Sequence, residues 1–346
     1  MTYRHFLSLL VCLVVARPIL LVAQSSDRAE ESTRRALIMY LSSTRAPTID
    51  KLLPFYRRPS TIPRRPSNFA NQDAIIALGR RLFFDQRLSR SGSISCATCH
   101  DPKRFWTDGL PQSIEGNSRR SMSLYNLAWD SRFTWRGETG TLMSQSIQAF
   151  SAGKGMALPP PELVAVLNEL PEYEPLFRAA FPEHTGPLGA GLVAHAIEAF
   201  VGSILSGTAA FDRWVEGDES AVTDQAKAGF LLFHGKANCA RCHNLWRFSD
   251  SQIYDIGSSP TGAPAGTAFK AVGLRNIAMR PPYMHHGSLN TLEAVIDFYN
   301  QGGVHRREGL SRHIKPLGLT PEDREKLVAF LKTLTAEQVE TVPGDE

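Results

Sequence analysis

Cys96-Ala-Thr-Cys99-His100 and Cys239-Ala-Arg-Cys242-His243 are two short segments of the same form. Each is a C-x-x-C-H sequence, the pattern of covalent c-type haem attachment. Two thiols one helical turn apart can form thioethers to one edge of a porphyrin, and the adjacent His can ligate the iron. The two segments contain four of the five cysteines of the chain. A structural zinc site would use these four thiols but leave both histidines without a role, so we predict two covalently bound haem c groups.

The composition and the N-terminus indicate an exported protein of about two domains. The chain has 346 residues, 42% of them hydrophobic, and a net charge of +4 that is too small to indicate nucleic-acid binding. Arg4 and His5 precede an apolar run at 6–16, and a second apolar run ends at Ala23. We interpret residues 1–23 as a cleaved secretory signal peptide and expect a periplasmic protein. An uncleaved anchor is the alternative, although neither run approaches the roughly 20 residues that span a bilayer.

Apolar periodicity and helix-terminal signals predict an all-α fold. Thr320 and Pro321, for example, are typical of a helix start, with Thr as the cap and Pro in the first turn. Strand signals are sparse, and only residues 246–256 suggest one. The proline-rich stretch at 57–66 is predicted to be a linker. Helices are predicted at residues 26–43, 71–84, 141–150, 161–170, 188–205, 223–233, 290–299 and 320–334.

The sequence around the first haem segment is repeated around the second. Gly-x-x-Leu-Phe precedes each segment, Leu-x-Asn follows it, and a glycine stands eleven residues after that Asn in both copies. The matching pairs are Gly79 and Gly229, Asn126 and Asn276, and Gly137 and Gly287. We therefore predict two cytochrome c-like haem domains related by duplication and joined near 207–217. The predicted parts are the signal peptide at 1–23, an extension and linker at 24–66, the first haem domain at 67–210 and the second at 211–340.

The two copies differ at positions that could supply a ligand to the haem iron. Alignment on the two glycines places Tyr299 opposite Ala149, and His285 opposite Trp135. If the first pair of positions faces the distal side of the haems, the second iron gains a sixth ligand and the first stays open to a small oxidant. The alternative for Tyr299 is an aromatic residue on the core face of a helix, and most tryptophans are likewise packing residues.

The stretch from 82 to 100, Leu-Phe-Phe-Asp-Gln-Arg-Leu-Ser-x-x-Gly-x-Ile-Ser-Cys-Ala-Thr-Cys-His, resembles the bacterial di-haem cytochrome c peroxidases and the related MauG-type enzymes. The stretch at 274–288 resembles them as well. In this family the first haem reacts with peroxide and the second passes electrons. The resemblance therefore implies that His100 and His243 are the two proximal iron ligands.

The same resemblance implies roles for three further residues. Trp135 falls on the tryptophan that relays electrons between the haems, and Gln145 falls on a glutamine of the distal pocket. Tyr299 falls on the sixth-ligand position of the second haem, which is Met in ordinary peroxidases and Tyr in MauG-type enzymes. Met284 and His286 are nearby alternatives for that ligand.

Two distal positions of the first haem depart from the family pattern. The distal His of the peroxidases would fall at Gly116, so no histidine is expected to close this haem. The acid that helps to break the O–O bond would fall at Gly155 and is expected to be missing. Glu115 is a candidate substitute for that acid.

Three arginines are expected to lie near the haems. The side chain that holds calcium between the haems in the family falls at Arg120. Its guanidinium, beside the carbonyls of Arg280 and Pro282, can replace the ion, so we expect calcium to be weak or absent. Arg247 and Arg275 are candidates for binding haem propionates, with ordinary surface ion pairs as the alternative.

These observations predict a secreted di-haem c-type oxidoreductase that reduces hydrogen peroxide at an open first haem with electrons from the second. The electron source is a small redox protein or a protein substrate whose residues become modified, as in MauG-type enzymes. The alternative is a non-catalytic electron-transfer or redox-sensing cytochrome. A homodimer would fit the family, and no membrane span is expected after signal cleavage. His195 is interpreted as a core histidine, and His234 has no partner at ligand spacing.

Overall fold

The computed structural model describes residues 28–44, 46–60, 71–113, 119–153, 155–258, 267–304 and 308–336. The fold is mostly helical, as predicted, with 48% helix and few strands. The predicted signal peptide, residues 61–66 of the predicted linker, Glu115 and Gly116 lie outside the described residues. Within the described ranges, no helix is long and apolar enough to cross a membrane.

The eight predicted helices are confirmed, with ends that shift by a few residues. Four short helices were not predicted, at Ile49–Leu52, Cys96–Cys99, Tyr173–Ala180 and Ala210–Val215, and the strand expected within 246–256 has only two residues. Strand β1 (Ile253–Tyr254) pairs antiparallel with β2 (Phe269–Lys270). The helices are α1 (28–43), α2 (Ile49–Leu52), α3 (Gln72–Phe84), α4 (Cys96–Cys99), α5 (Leu142–Ser151), α6 (Pro160–Asn168), α7 (Tyr173–Ala180), α8 (Ala190–Ser203), α9 (Ala210–Val215), α10 (Asp224–His234), α11 (Leu292–Asn300) and α12 (Pro321–Lys332).

Four helices begin at a threonine that caps them. In each case the threonine hydroxyl accepts a hydrogen bond from a backbone N–H of the first helical turn, which has no partner inside the helix. Pro321 adds a fixed backbone φ to the first turn of α12. The capping residues are Thr141 for α5, Thr223 for α10, Thr291 for α11 and Thr320 for α12.

The helices pack around two hydrophobic cores. We call residues 71–206 the first half and residues 28–56 with 209–336 the second half. The core of the first half lies among α3, α5, α6, α7 and α8. The core of the second half lies among α9 to α12 and also takes in Leu37, Leu52 and Tyr56, all three fully buried. The described N-terminal extension is therefore part of the second core.

Each half is held by one close crossing of two helices at a glycine. A Cβ placed on Gly79 of α3 would lie 1.9 Å from the carbonyl oxygen of Ala196 in α8. A Cβ placed on Gly229 of α10 would lie 1.9 Å from the carbonyl oxygen of Lys326 in α12. Only glycine permits this approach, so the two Gly-x-x-Leu-Phe motifs mark the same helix contact in both halves.

The two Leu-x-Asn motifs also have matching geometry. Asn126 and Asn276 both have left-handed backbone conformations, with φ of 61° and 57°. The side-chain oxygen of Asn126 accepts a hydrogen bond from the Ser206 N–H at 3.1 Å, and that of Asn276 accepts one from the Ala336 N–H at 2.8 Å. Each asparagine thus fixes its loop to the segment that follows the last long helix of its half.

Candidate haem sites

Both histidines of the C-x-x-C-H segments are oriented in the same way. His100 Nδ1 lies 3.3 Å from the carbonyl oxygen of Trp106, and His243 Nδ1 lies 3.0 Å from that of Phe248. A carbonyl only accepts, so both rings can donate to it through Nδ1–H, and this tautomer leaves the Nε2 lone pair for a metal. The main-chain carbonyls of Met122 and Val272 also contact the imidazoles of His100 and His243. Burial lowers the pKa of both imidazoles, which favours the neutral form that ligates iron.

The two thiol pairs lie on short helical segments. Cys96 and Cys99 are the ends of α4, and a 3-10 turn begins at Cys239. Burial raises the pKa of Cys96, Cys239 and Cys242 to about 12, so these thiols are protonated. In the described part of the chain, no group of three or more His, Cys, Asp or Glu side chains is placed to hold a metal ion. The four thiols therefore do not converge as the zinc alternative requires.

A mainly apolar cavity lies against the second C-x-x-C-H segment. Cys239, Cys242 and His243 line it, and so does Tyr299 from α11. Burial raises the pKa of Tyr299, and its hydroxyl makes no hydrogen bond to any described residue. The apolar residues of the wall include Phe233, Leu274, Leu292, Ile296, Leu327 and Leu331.

The two alternatives to Tyr299 have different positions. Met284 lines the same cavity, in a left-handed backbone conformation with φ of 69°. His286 is not among the lining residues, and its ring is stacked on that of His285 with 4.2 Å between the centroids.

Position 149 of the first half corresponds to position 299. Helices α5 and α11 begin with the same Thr-Leu pair, and Ala149 and Tyr299 lie the same distance after their capping threonines. Position 149 therefore offers a methyl group where position 299 offers a phenol.

Two buried arginines line the cavity with donors that have no partner. Arg247 is 5% exposed and Arg275 is 2% exposed, so neither makes an ordinary surface ion pair. Arg247 Nε and Arg275 Nη1 have no hydrogen-bond acceptor among the described residues. A haem is an apolar ring with two carboxylates, and a site with an apolar wall, paired thiols, a neutral imidazole and unpaired guanidinium donors fits it.

Asp130 joins the two halves at the edge of this cavity. Its carboxylate accepts hydrogen bonds from Arg247, from Lys270 at 2.6 Å and from Ser251 at 2.7 Å, and Arg247 also donates to Glu30 at 2.7 Å. Burial by itself raises the pKa of Asp130, but Lys270 and Arg247 outweigh burial and lower the pKa to about 2. The carboxylate is therefore ionised. No motif in the sequence indicates this cluster.

Trp135 lies between the halves and lines the cavity. Its indole N–H donates to the carbonyl oxygen of Arg120 at 2.8 Å, and its carbonyl oxygen accepts from the Lys270 N–H at 2.8 Å. The edge of its ring faces His285, with 6.5 Å between the centroids. Gln145 lies on α5 in the first half, where its side-chain oxygen accepts from the Thr139 hydroxyl at 2.9 Å, and it does not line this cavity.

Arg120 donates hydrogen bonds to the two main-chain carbonyls that were predicted to lie beside it. Its buried guanidinium donates to the carbonyl oxygen of Pro282, and to that of Arg280 at 3.1 Å. Calcium requires six to eight oxygen ligands. Two of the candidate oxygens are already bound to a fixed cation that would repel the ion, so these residues do not fit calcium.

Three further positions singled out in the sequence are Gly155, His195 and His234. Gly155 has a φ of 135°, and open space surrounds the position of a Cβ. His195 is buried, with its ring edge-on to Phe181, in agreement with the core interpretation. His234 is also buried and is hydrogen-bonded to Tyr56 of the N-terminal extension, a contact that the sequence did not reveal.

Comparison with known proteins relates the chain to one family. A family model described as di-haem cytochrome c peroxidase matches residues 73–220. The chain is 43% identical to the methylamine utilization protein MauG of Methylorubrum extorquens, over 82% of this chain and 84% of that protein. It is 29% identical to the cytochrome c551 peroxidase of Pseudomonas aeruginosa, over 75% and 78% of the two chains.

Two solved structures share the fold. A MauG-like protein associated with microbial copper homeostasis matches with a TM-score of 0.68 and 31% identity, over 82% of this chain and 93% of that one. The diheme peroxidase BthA from Burkholderia thailandensis matches with a TM-score of 0.62 and 22% identity, over 79% and 87% of the two chains.

Proposed function

Since the chain belongs to the di-haem cytochrome c peroxidase and MauG family, we propose that it is an exported di-haem c-type oxidoreductase that reduces hydrogen peroxide at an open first haem. Members of the family are di-haem peroxidases or MauG oxidoreductases. The observation that carries the proposal is the difference between the halves at two corresponding positions. Tyr299 lines the cavity at the second C-x-x-C-H segment, whereas the first half has Ala149 at the matching position.

We propose that the two halves are haem domains that arose by duplication. The matching helix crossings at Gly79 and Gly229, and the matching loops at Asn126 and Asn276, support this origin. The first haem domain would cover 67–210 and the second 211–340, with residues 28–56 packed onto the second.

The proposed attachment assigns each haem to its own half. Cys96 and Cys99 would hold the first haem, and His100 would ligate its iron through Nε2. The second haem would be held in the same way by Cys239, Cys242 and His243, with Tyr299 as the sixth ligand. The main-chain carbonyl beside Nδ1 in both sites supports this assignment, because it favours the imidazole tautomer that ligation requires.

When bound, the haems supply redox-active iron, so that peroxide takes up two electrons and two protons and yields two molecules of water. We assign the relay between the halves to Trp135, whose indole is fixed by the Arg120 carbonyl. Arg247 and Arg275 would pair with propionates through their unpaired donors and fix the position of the second haem in its site. Gln145 would orient peroxide in the first half.

The relatives are the basis for the kind of partner protein that we propose. Identity is 43% with a MauG protein and 29% with a cytochrome c551 peroxidase. Together with Tyr299 this favours a protein substrate that is oxidised by the enzyme over a small redox protein that donates electrons. We propose a periplasmic location, with residues 1–23 as the signal peptide.

Spectroscopy of the ferric holoprotein tests the proposal. We expect two covalent haems, one high-spin and one low-spin iron by EPR, and a change in the haem absorption when hydrogen peroxide is added. Two low-spin irons, or no response to peroxide, would instead indicate an electron-transfer or redox-sensing cytochrome. Oxidising equivalents that persist without a donor favour the MauG-type reaction, and donor-dependent turnover favours a peroxidase.

A single substitution tests the sixth ligand. Tyr299→Phe removes the phenol oxygen, so we expect the low-spin signal to be replaced by a second high-spin signal. Tyr254→Phe is the matched control, because Tyr254 lines the same cavity but its hydroxyl donates to Asp250. If Tyr299→Phe keeps the low-spin signal, another residue is the ligand.

A further inference from the structure

Tyr56 and His234 form a buried hydrogen-bonded pair that the proposed haem sites do not use. Tyr56 ends a 3-10 turn (Leu53–Tyr56) of the N-terminal extension and is fully buried in the second core. Its hydroxyl oxygen lies 2.6 Å from Nε2 of His234, the last residue of α10. The two residues are 178 positions apart in the chain, so only the tertiary fold brings them together.

The position of the proton in this pair is fixed by a third group. His234 Nδ1 lies 2.8 Å from the carbonyl oxygen of Phe230, which can only accept. Nδ1 therefore carries the ring hydrogen, and the Nε2 lone pair accepts the hydrogen bond from the Tyr56 hydroxyl. Burial lowers the pKa of His234 to about 4 and raises the pKa of Tyr56, so both groups are neutral in the resting protein.

A basic partner for a buried tyrosine is not needed for hydrogen bonding alone. The hydroxyl of Tyr283, for example, donates to the main-chain carbonyl oxygen of Ile277, which satisfies the group but cannot take its proton. The imidazole of His234 can take the proton of Tyr56. The pair is therefore suited to chemistry in which the phenol loses a proton.

The pair is also close to the proposed second haem site. The Tyr56 ring lies 4.9 Å from the Phe248 ring, centroid to centroid. The main-chain carbonyl of Phe248 accepts the hydrogen bond from His243 Nδ1. One residue therefore separates Tyr56 from the proposed proximal ligand. The rings of Phe211 and Phe230 pack edge-on against Tyr56 and shield the pair from water.

We propose that Tyr56 and His234 are a redox-active pair that stores one oxidising equivalent near the second haem. This inference rests on the proposed function, because the one-electron oxidant is the haem protein after its reaction with peroxide. Tyr56 loses one electron to that oxidant, and its hydroxyl proton moves to His234 Nε2. The products are a neutral tyrosyl radical and an imidazolium, and a one-electron reductant restores both residues when the proton returns.

The proton acceptor decides whether this step can occur. A phenol that loses an electron becomes a very strong acid, and an oxidised phenol that kept its proton would be an unpaired cation in an apolar core. Transfer of the proton across 2.6 Å places the positive charge on the imidazolium, whose Nδ1–H is already bound to the Phe230 carbonyl. Such a pair would hold the oxidising equivalent away from residues that it would otherwise damage.

The test uses the holoprotein treated with hydrogen peroxide without an electron donor, frozen, and measured by EPR. We expect a tyrosyl radical signal that narrows when the protein carries ring-deuterated tyrosine. Tyr56→Phe should abolish it. His234→Gln should also abolish it, because the glutamine oxygen can accept the hydrogen bond but cannot take the proton. Tyr173→Phe is the matched control in the first half, where a buried tyrosine donates to Asp85, and it should keep the signal.

The outcomes separate this inference from the proposed function. A change in haem absorption on addition of peroxide, with no tyrosyl signal or with a signal that survives Tyr56→Phe, would overturn the redox pair and leave the proposed function standing. Absence of any haem response to peroxide would overturn both. A merely structural role would lower the thermal stability of Tyr56→Phe and His234→Gln without altering the radical signal.

Discussion

Replacement of Asp130 by Asn would remove the negative charge from a buried cluster that joins the two halves. The carboxylate lies between Arg247 and Lys270, and both cations are also buried. Asn has the same shape and keeps a hydrogen bond to Ser251, but it leaves Lys270 without its counter-charge and Arg247 with Glu30 as its remaining one. Removal of one partner from a buried ion pair costs about 3–5 kcal/mol. We expect Asp130→Asn to lose this amount of the free energy of unfolding at pH 7.

The pKa of Asp130 gives an independent magnitude. The shift from 3.8 to about 2 corresponds to about 2.5 kcal/mol of stability. The folded-state pKa is lowered, so this stability is fully present above about pH 4 and is lost as the pH falls from about 4 to about 2. Asp130→Asn should remove this part of the pH dependence, because the amide does not titrate.

Denaturant unfolding of the holoprotein, followed by circular dichroism between pH 7 and pH 2, measures both effects. Glu30→Gln is the matched control. Glu30 contacts the same Arg247 but its side chain is 26% exposed, so we expect a loss of at most about 1 kcal/mol. If Asp130→Asn stays within about 1 kcal/mol of wild type at pH 7, the assignment of Asp130 as the central charge of the cluster is wrong.

Two further predictions concern the helix crossing and the interface between the halves. Gly229→Ala would force α10 away from the Lys326 carbonyl and should lower stability in a thermal melt by about 1–3 kcal/mol. Gly191→Ala in α8, where a Cβ meets open space, should instead be neutral or stabilising by up to about 1 kcal/mol, and equal losses in both variants would contradict the crossing. Arg120→Ala would leave two buried carbonyls unpaired and should cost about 2–6 kcal/mol in the same melt. The wild-type melting temperature and haem spectrum should not change with EDTA, and a shift on chelation would mean that a metal does bind.

Much of the fold follows from local signals in the sequence. Thr320 with Pro321 and the repeated threonine caps mark helix starts that depend on neighbouring residues only. The repeated Gly-x-x-Leu-Phe motif indicated an internal repeat, but the helix crossings at Gly79 and Gly229 were not predicted and are seen only in the structure. The short helices were missed because α9 has only six residues, too few for a periodic pattern, and because Pro175 in the first turn of α7 weakens the helical signal.

The candidate site was predictable to a similar extent. The thiol pairs and their histidines follow from the C-x-x-C-H motif, and the position of Arg120 follows from the family resemblance. The contacts of Asp130 and of Tyr56 do not, since their partners lie 117 to 178 positions away in the chain and belong to no motif. Burial then changes the chemistry of these groups, and the sequence does not show which polar side chains the core encloses.

The packing of the N-terminal extension into the second core sets an order of events during folding. The first half is one continuous stretch, so its contacts can form before the segments that follow residue 206 are in place. The second half uses segments from before and after the first half, because Leu37 and Tyr56 share a core with Leu334. It cannot close until Leu334 is present, and contacts between such distant residues form slowly. We therefore expect the second half to close after the first, when residues 28–56 pack against the helices that follow residue 209.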